Sequence, residues 1–170
     1  NLGLGVFKKK FTIIQCPFYF KRISTSAEKN MKAIILNKYG GPNVLTYGEL
    51  ERPEPKVGEV LVKVYNVSVN VTLDIKLRQG NYPIKPVFPH VMGIDPVGEI
   101  IQVGHGVADS RVGERVGVHA LMRSDECIPG HEADDPKFYR FVGIHRWGGY
   151  ADFVTVPSEN AFKIPINLIL

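Results

Sequence analysis

The stretch FPHVMGIDPVG, residues 88–98, is the most informative part of the 170-residue sequence. Pro89 and Pro96 restrict the backbone and remove two hydrogen-bond donors, while Gly93 and Gly98 allow close backbone approach or a positive φ angle. The pattern predicts a shaped turn that leads directly into a strand. Because turns of this kind often carry binding and catalytic groups, we expect a functional site beside it.

On both sides of this turn, short β-rich segments alternate with glycine and proline. Residues 59–65 alternate in polarity and predict a strand with one wetter face. Further strands are predicted over residues 31–36, 44–50, 99–103, 112–118 and 151–156. Several short strands joined by Gly/Pro turns, with few helices, predict a mainly β, barrel-like domain.

Residues 72–79 carry the best helical signal in the sequence. Thr72 is a suitable N-cap residue, and Asp74 lies in the first turn, where the helix dipole favours an anion. Gly80 ends the segment. Arg78 follows Asp74 by four residues, a spacing that permits an ion pair on one face of the helix.

The charge distribution argues against a nucleic-acid partner. The net charge is +4, but six of the 21 Lys and Arg and one of the 17 Asp and Glu lie in residues 1–30. That segment therefore carries +5 and residues 31–170 carry −1, whereas binding of nucleic acid needs Lys and Arg clustered on the domain itself. No apolar run approaches the ~20 residues that span a bilayer, so we expect no membrane partner either.

Six segments stand in the order found in one known family. Between residues 31 and 157 they read MKAIIL, GEVLVKV, DIKLRQG, the central turn, GERV and GIHRWGGYADFVTVP. On these segments, residues 31–165 resemble the medium-chain dehydrogenase/reductase superfamily, which includes zinc alcohol dehydrogenases and zinc-free quinone oxidoreductases. The resemblance implies a GroES-like catalytic domain, a partly open β-barrel, over residues 31–165. Residues 166–170 would then begin the link to the family's nucleotide-binding domain.

Residues 1–30 are basic and show no persistent helical or strand period, so we expect them to lie outside the core. Three interpretations stay open: a mitochondrial targeting segment, a short signal peptide, and translated sequence upstream of a start at Met31. We favour the last, because Met31 opens a segment similar to the family's N-terminus. Cys16 and Cys127 lie far apart and imply no disulfide framework. We therefore expect a cytoplasmic protein, or a mitochondrial one if residues 1–30 are a targeting segment.

The resemblance implies NADP or NAD as the cofactor, but the family's dinucleotide-binding motif is missing from this sequence. No G-x-G-x-x-G/A follows a predicted strand, so the Rossmann cofactor domain is absent from the chain. A hydride donor must be held within about 3–3.5 Å of its acceptor. We therefore expect this chain to be inactive alone, and to form a homodimer only through the missing domain.

The positions at which zinc members of the family bind their catalytic metal carry no ligands here. Those members use a Cys three residues before the Asp of the helix and a His in a Gly-His-Glu turn. The corresponding residues are Val71, or Asn70 if one residue is inserted, and Ile94. Neither Val nor Ile can donate a lone pair, so we predict no catalytic zinc.

A Gly-His-Glu sequence does occur later, at residues 130–132. It lies where zinc members carry a structural lobe with four cysteines, of which only Cys127 remains. A metal site built from Asp125, Cys127, His131 and Asp134 is an alternative on ligand type. We favour a solvated acidic loop for this segment.

By resemblance, the substrate or cofactor pocket is lined by Asn70, Asp74 and Arg78, with Tyr82 at its rim. Asp95 lies in the central turn, where zinc members have Glu. Each acidic residue also has a structural alternative: Asp74 as a helix-cap carboxylate paired with Arg78, and Asp95 as an ordinary turn residue before proline. No residue is assigned as a catalytic group.

The missing zinc ligands indicate which class of substrate is reduced. Reduction of a simple carbonyl concentrates charge on one oxygen and calls for a Lewis acid, whereas a quinone or enone delocalises that charge, so hydrogen-bond donors suffice. The leading hypothesis is the substrate-side domain of an NAD(P)H-dependent, zinc-independent oxidoreductase with a small-molecule substrate. Two alternatives stay open: a non-catalytic binding module from a degenerate family member, and a zinc-containing alcohol dehydrogenase-like protein with an altered metal site.

Overall fold

The structure is a computed structural model that describes residues 29–123, 139–165 and 167. One α-helix, α1 (Val71–Arg78), occurs in these residues, and none of their helices is long and apolar enough to cross a membrane. Short 3₁₀ helices cover Pro42–Val44, Asp109–Arg111 and Ser158–Asn160. The strands are β1 (Asn30–Leu36), β2 (Leu45–Glu51), β3 (Glu59–Val67), β4 (His90–Val91), β5 (Pro96–Val103), β6 (Arg115–Val118), β7 (Leu121–Arg123), β8 (Tyr139–Phe141), β9 (Phe153–Pro157) and β10 (Ala161–Lys163).

The main sheet has five strands in the order β10-β6-β5-β3-β9, and every neighbouring pair is antiparallel. The pairing of β3 with β5 shifts register after Leu61 and again after Val64. Such irregularities bend a strand and increase its twist, and the sheet curls into a half-barrel. Smaller sheets have the orders β2-β1-β4 and β7-β8. The predicted mainly β, barrel-like architecture is confirmed.

The first half of β3 is buried on both of its faces. Val60, Leu61 and Val62 all have 0% exposure. Val60 and Val62 belong to the largest core cluster, whereas Leu61 packs with Met31 and Phe153 in a separate one. The prediction of one wetter face is therefore wrong for this half, because β3 is an interior strand, paired with β5 and β9, and a core cluster packs on each of its faces there.

Helix α1 begins one residue earlier than the sequence predicted. Its N-cap is Asn70, whose side-chain Oδ1 accepts a hydrogen bond of 3.0 Å from the backbone N–H of Leu73. Thr72 therefore lies inside the first turn and is not the cap. Leu77 is fully buried and packs in a core cluster with Leu36 of β1 and Met92 of the central turn. This contact fixes α1 against β1 and the central turn.

The central turn packs against residues 148–150. Three backbone hydrogen bonds of 2.8–2.9 Å join residues 148–150 to residues 91–93. Gly93 has a φ angle of +95°, and a Cβ atom there would lie 2.9 Å from the backbone nitrogen of Tyr150. Glycine is therefore required on two grounds, positive φ and close approach. The packing places the Tyr150 side chain beside α1.

Candidate functional site

A cavity of about 310 Å³ lies between α1, β1, the start of β2 and the central turn. Most of its lining is aliphatic, and three residues add polar groups. The aliphatic and thioether side chains come from Ile34, Leu45, Val69, Ile75 and Met92, and the polar ones from Asp74, Arg78 and Tyr150. Concave, mostly apolar sites with a few converging polar groups are typical of small-molecule binding.

Asp74 is the central polar group of this cavity, with an exposed fraction of 7%. Its Oδ2 atom accepts hydrogen bonds from the Tyr150 hydroxyl at 2.6 Å and from the Asn70 backbone N–H at 2.9 Å. Its Oδ1 atom is buried and has no hydrogen-bond partner in the described part of the chain. Burial raises the pKa of the Asp74 carboxyl, and the charge of Asp95 adds to the rise, while the two hydrogen bonds oppose it.

Tyr150 contacts Asp74 although it lies 76 residues later in the sequence. Besides its bond to Asp74, the hydroxyl lies 3.4 Å from the carbonyl oxygen of Ser68. Burial raises the pKa of the Tyr150 phenol, and the hydrogen bond and negative charge of Asp74 raise it further. The phenol therefore stays protonated and acts as a hydrogen-bond donor.

The structure brings only some of the predicted site residues into the cavity lining. Asp74 and Arg78 line it, while the Asn70 side chain caps α1 and contributes its backbone N–H to Asp74. Tyr82 is half-buried against the core cluster of Leu77. Asp95 is exposed and accepts a hydrogen bond of 3.1 Å from the Ser68 hydroxyl.

Asp74 and Arg78 share a helix face but do not pair with each other. The Arg78 guanidinium donates to the backbone carbonyl of Gly40, and no ion pair joins it to Asp74 in the described residues. The hypothesis of a helix-surface ion pair is therefore wrong. The carboxyl accepts a hydrogen bond from the Tyr150 hydroxyl instead, and both residues line the cavity.

The sequence patterns did not identify Tyr150 as a site residue. The available signal was the double glycine before it, because Gly148 and Gly149 indicate close backbone approach to another segment. A Cβ atom at Gly148 would lie 2.2 Å from the Gly93 carbonyl oxygen. If residues 148–150 had been paired with the central turn, which contains Gly93, Tyr150 would have been placed beside the site.

The described residues contain no group of three or more His, Cys, Asp and Glu side chains that could hold a metal ion. Val71 is 65% exposed at the start of α1, and Ile94 packs against the core cluster of Leu77. The alternative metal site, which involves Cys127 and His131 together with two neighbouring acidic residues, lies outside the described residues. The aliphatic side chains at these two family positions offer no donor atom to a metal ion.

Comparisons with known proteins establish the family. Residues 56–166 match the family model "Alcohol dehydrogenase GroES-like domain". The chain is 36% identical over 142 residues to an alcohol dehydrogenase of Geobacillus stearothermophilus, covering 81% of this chain and 41% of the relative. It is 36% identical over 144 residues to a quinone oxidoreductase of Sus scrofa, covering 84% of this chain and 36% of the relative.

A solved structure shows the same fold. An alcohol dehydrogenase of Escherichia coli CFT073, in complex with NADH, is 33% identical with a TM-score of 0.70 over 82% of this chain and 40% of that chain. The chain thus belongs to the alcohol dehydrogenase GroES-like family, within the medium-chain dehydrogenase/reductase superfamily. It spans about two-fifths of the length of these relatives. The predicted superfamily and the GroES-like fold are confirmed.

Proposed function

We propose that this chain supplies the substrate side of an NAD(P)H-dependent, zinc-independent oxidoreductase that reduces a quinone or enone by hydride transfer. The observation that carries the proposal is an apolar cavity whose polar end is the Asp74–Tyr150 pair, in a family of dehydrogenases. The relatives include both alcohol dehydrogenases and a quinone oxidoreductase.

The residues around the cavity favour the quinone or enone branch. In zinc members of the family a Lewis acid stabilises the charge on the oxygen of an alcohol or aldehyde, and the two positions that would hold it here, Val71 and Ile94, are aliphatic. A quinone or enone spreads the developing charge over several atoms, so neutral hydrogen-bond donors suffice. The aliphatic lining from Ile34, Ile75 and Met92 suits the ring or chain of such a substrate.

The hydride donor would be bound by another part of the protein. NADPH or NADH supplies the hydride in this chemistry, and the sequence contains no G-x-G-x-x-G/A motif after a strand to bind the cofactor. We therefore propose that residues 31–170 alone do not oxidise NAD(P)H. In this proposal the chain binds and orients the acceptor and excludes water from it.

The test begins with the endogenous protein, whose mass, N-terminus and metal content are measured before turnover. We expect oxidation of NADPH or NADH with duroquinone as acceptor, unaffected by EDTA, and no stoichiometric zinc. Stoichiometric zinc together with chelator-sensitive oxidation of an alcohol would replace the proposal with a zinc alcohol dehydrogenase. Absence of any cofactor oxidation would replace it with a non-catalytic binding module.

A matched pair of variants tests whether the cavity is the site. Ile75→Trp fills the cavity from α1 at a side chain that is 40% exposed, whereas Val112→Trp places the same group at a 49% exposed position outside the cavity lining. We expect Ile75→Trp to raise the KM for duroquinone at least about tenfold, equivalent to about 1.4 kcal/mol, while Val112→Trp leaves it unchanged. Equal kinetics of the two variants would place the substrate elsewhere.

A further inference from the structure

The Tyr150 hydroxyl has one proton and more than one acceptor within reach. A phenol donates a single hydrogen bond at a time. In the structure the Asp74 Oδ2 atom lies at 2.6 Å and the Ser68 carbonyl oxygen at 3.4 Å, so the proton is directed at Asp74. A ligand oxygen in the cavity would have to compete with Asp74 for this proton.

The strength of that competitor depends on the protonation state of Asp74. A carboxylate accepts a charge-assisted hydrogen bond that is about twice as strong as a neutral one, and it would hold the Tyr150 proton. A neutral carboxyl is a weaker acceptor and would release the hydroxyl to a ligand carbonyl. The protonation state of Asp74 would therefore decide whether the Tyr150 hydroxyl can donate a hydrogen bond to a ligand.

The surroundings of Asp74 support the ionised form only weakly. The Asn70 N–H stabilises one oxygen, while the other is buried without a partner in the described residues. Asp95 adds negative charge nearby, and the Arg78 guanidinium donates to a backbone carbonyl on another segment. The cavity residues from β1, β2 and the central turn are apolar, so they add no titratable group.

We propose that the Tyr150 hydroxyl donates the hydrogen bond that holds the carbonyl oxygen of the acceptor, and that neutral Asp74 releases this donor whereas ionised Asp74 withholds it. The inference rests on the proposed function, because it takes the cavity as the substrate site. Tyr150 would contact the substrate, and Asp74 would be a positioning residue. Arg78 is the other donor in the cavity lining and is the rival for this role.

The test uses two ligands of the same shape, alpha-tetralone and tetralin, which differ in one carbonyl group. Binding to the chain is followed by NMR of the methyl groups of Ile34, Ile75 and Met92, which line the cavity. Since a neutral hydrogen bond contributes about 1 kcal/mol, we expect tetralone to bind about fivefold more tightly than tetralin while Asp74 is neutral. As the pH rises from below to above the raised pKa of Asp74, the ratio is expected to fall toward one.

Three variants separate this role from a structural one. Tyr150→Phe should remove the preference for tetralone at every pH, and Asp74→Asn, which cannot ionise, should keep it at every pH. Tyr65→Phe is the matched control, because the Tyr65 hydroxyl makes the same 2.6 Å contact with a carboxylate, Glu99, outside the cavity lining. It should behave as the wild type does. Thermal unfolding of each variant confirms that it folds.

The outcomes distinguish this inference from the proposed function. If both ligands bind with equal affinity at low pH, or if the preference persists in Tyr150→Phe, the inference is overturned and the cavity remains the substrate site. A preference that survives in Tyr150→Phe would assign the donor to Arg78. If neither ligand shifts the cavity methyl resonances, both the inference and the proposed site are overturned.

Discussion

Gly148→Ala is expected to separate the two turns that position Tyr150. A Cβ atom at Gly148 would lie 2.2 Å from the carbonyl oxygen of Gly93, 2.6 Å from the Cα of Gly143 and 2.7 Å from the carbonyl oxygen of Met92. All three neighbours are backbone atoms, so no side chain can rotate away to make room. The φ angle of Gly148 is outside the left-handed region, so the expected effect is steric.

The magnitude follows from the hydrogen bonds that the added methyl group would break. Three backbone hydrogen bonds of 2.8–2.9 Å join residues 148–150 to residues 91–93. At about 1 kcal/mol each, their loss lowers the free energy of unfolding by about 3 kcal/mol. Overpacking of a well-packed interior gives a similar value of about 1–3 kcal/mol. This is a large share of the roughly 5–15 kcal/mol typical of a domain.

Urea unfolding of the variant and a matched control measures this effect. Gly117→Ala is the control, because a Cβ atom there would lie 3.7 Å from Ile164 and 3.8 Å from Val97, which are ordinary contacts. We expect Gly117→Ala to change the free energy of unfolding by less than about 1 kcal/mol. Equal stability of the two variants would refute the steric argument. The pKa of Tyr150 in Gly148→Ala, followed by ultraviolet titration, should return toward the ordinary value of about 10 as the contact with Asp74 is lost.

Three further substitutions have expected effects. Leu77→Ala removes a fully buried side chain of α1 and should lower the free energy of unfolding by about 2–5 kcal/mol, whereas Val57→Ala, at a 75% exposed position, should change it little in the same urea titration. Asn70→Ala removes the cap of α1 and should lower stability by about 1 kcal/mol; Asn70→Asp, which retains an acceptor, should not. Burial lowers the pKa of His90, and its bond to the Gly143 carbonyl only partly opposes this. The free energy of unfolding should therefore fall as the pH drops below about 6.5, where the His90 side chain of the unfolded chain takes up a proton. His90→Gln should make this pH dependence weaker, as measured by urea unfolding at pH values above and below about 6.5.

The glycine pattern was a sound guide to the fold because the constraint on a glycine is local. Gly93 and Gly98 were both predicted to permit either close approach or a positive φ angle. A Cβ atom at Gly98 would lie 1.9 Å from the carbonyl oxygen of Lys63 on the neighbouring strand, and Gly93 has a positive φ angle. In both cases the residue type alone carries the information, since no other side chain fits such a backbone.

The start of α1 could not be fixed in this way, because the sequence offers two good caps. Asn70 and Thr72 are both favoured at N-cap positions. The structure uses Asn70 in a reciprocal arrangement: its side chain accepts from Leu73, and its backbone N–H donates to the Asp74 carboxyl. That choice depends on the burial of Asp74 against Tyr150, which is a tertiary contact.

Of the three polar residues that line the cavity, the sequence predicted Asp74 and Arg78 but not Tyr150. The spacing of Asp74 and Arg78 places them on one helix face, and both line the cavity. Tyr150 lies 76 residues after Asp74 in sequence. Its position depends on the topology that brings residues 148–150 against the central turn, and the double glycine before Tyr150 indicates a close approach without saying which segment is approached.

This topology links the integrity of the site to that of the whole domain. Asp74 is placed by α1, whereas Tyr150 is placed by the central turn and by β1, whose Ile34 N–H donates to the Tyr150 carbonyl at 2.8 Å. Because no single segment contains both members of the pair, partial unfolding of any of these elements separates them. Ligand binding in the cavity should therefore be lost at the same urea concentration as the native sheet, and a midpoint for binding well below that of unfolding would show that the site opens independently of the fold.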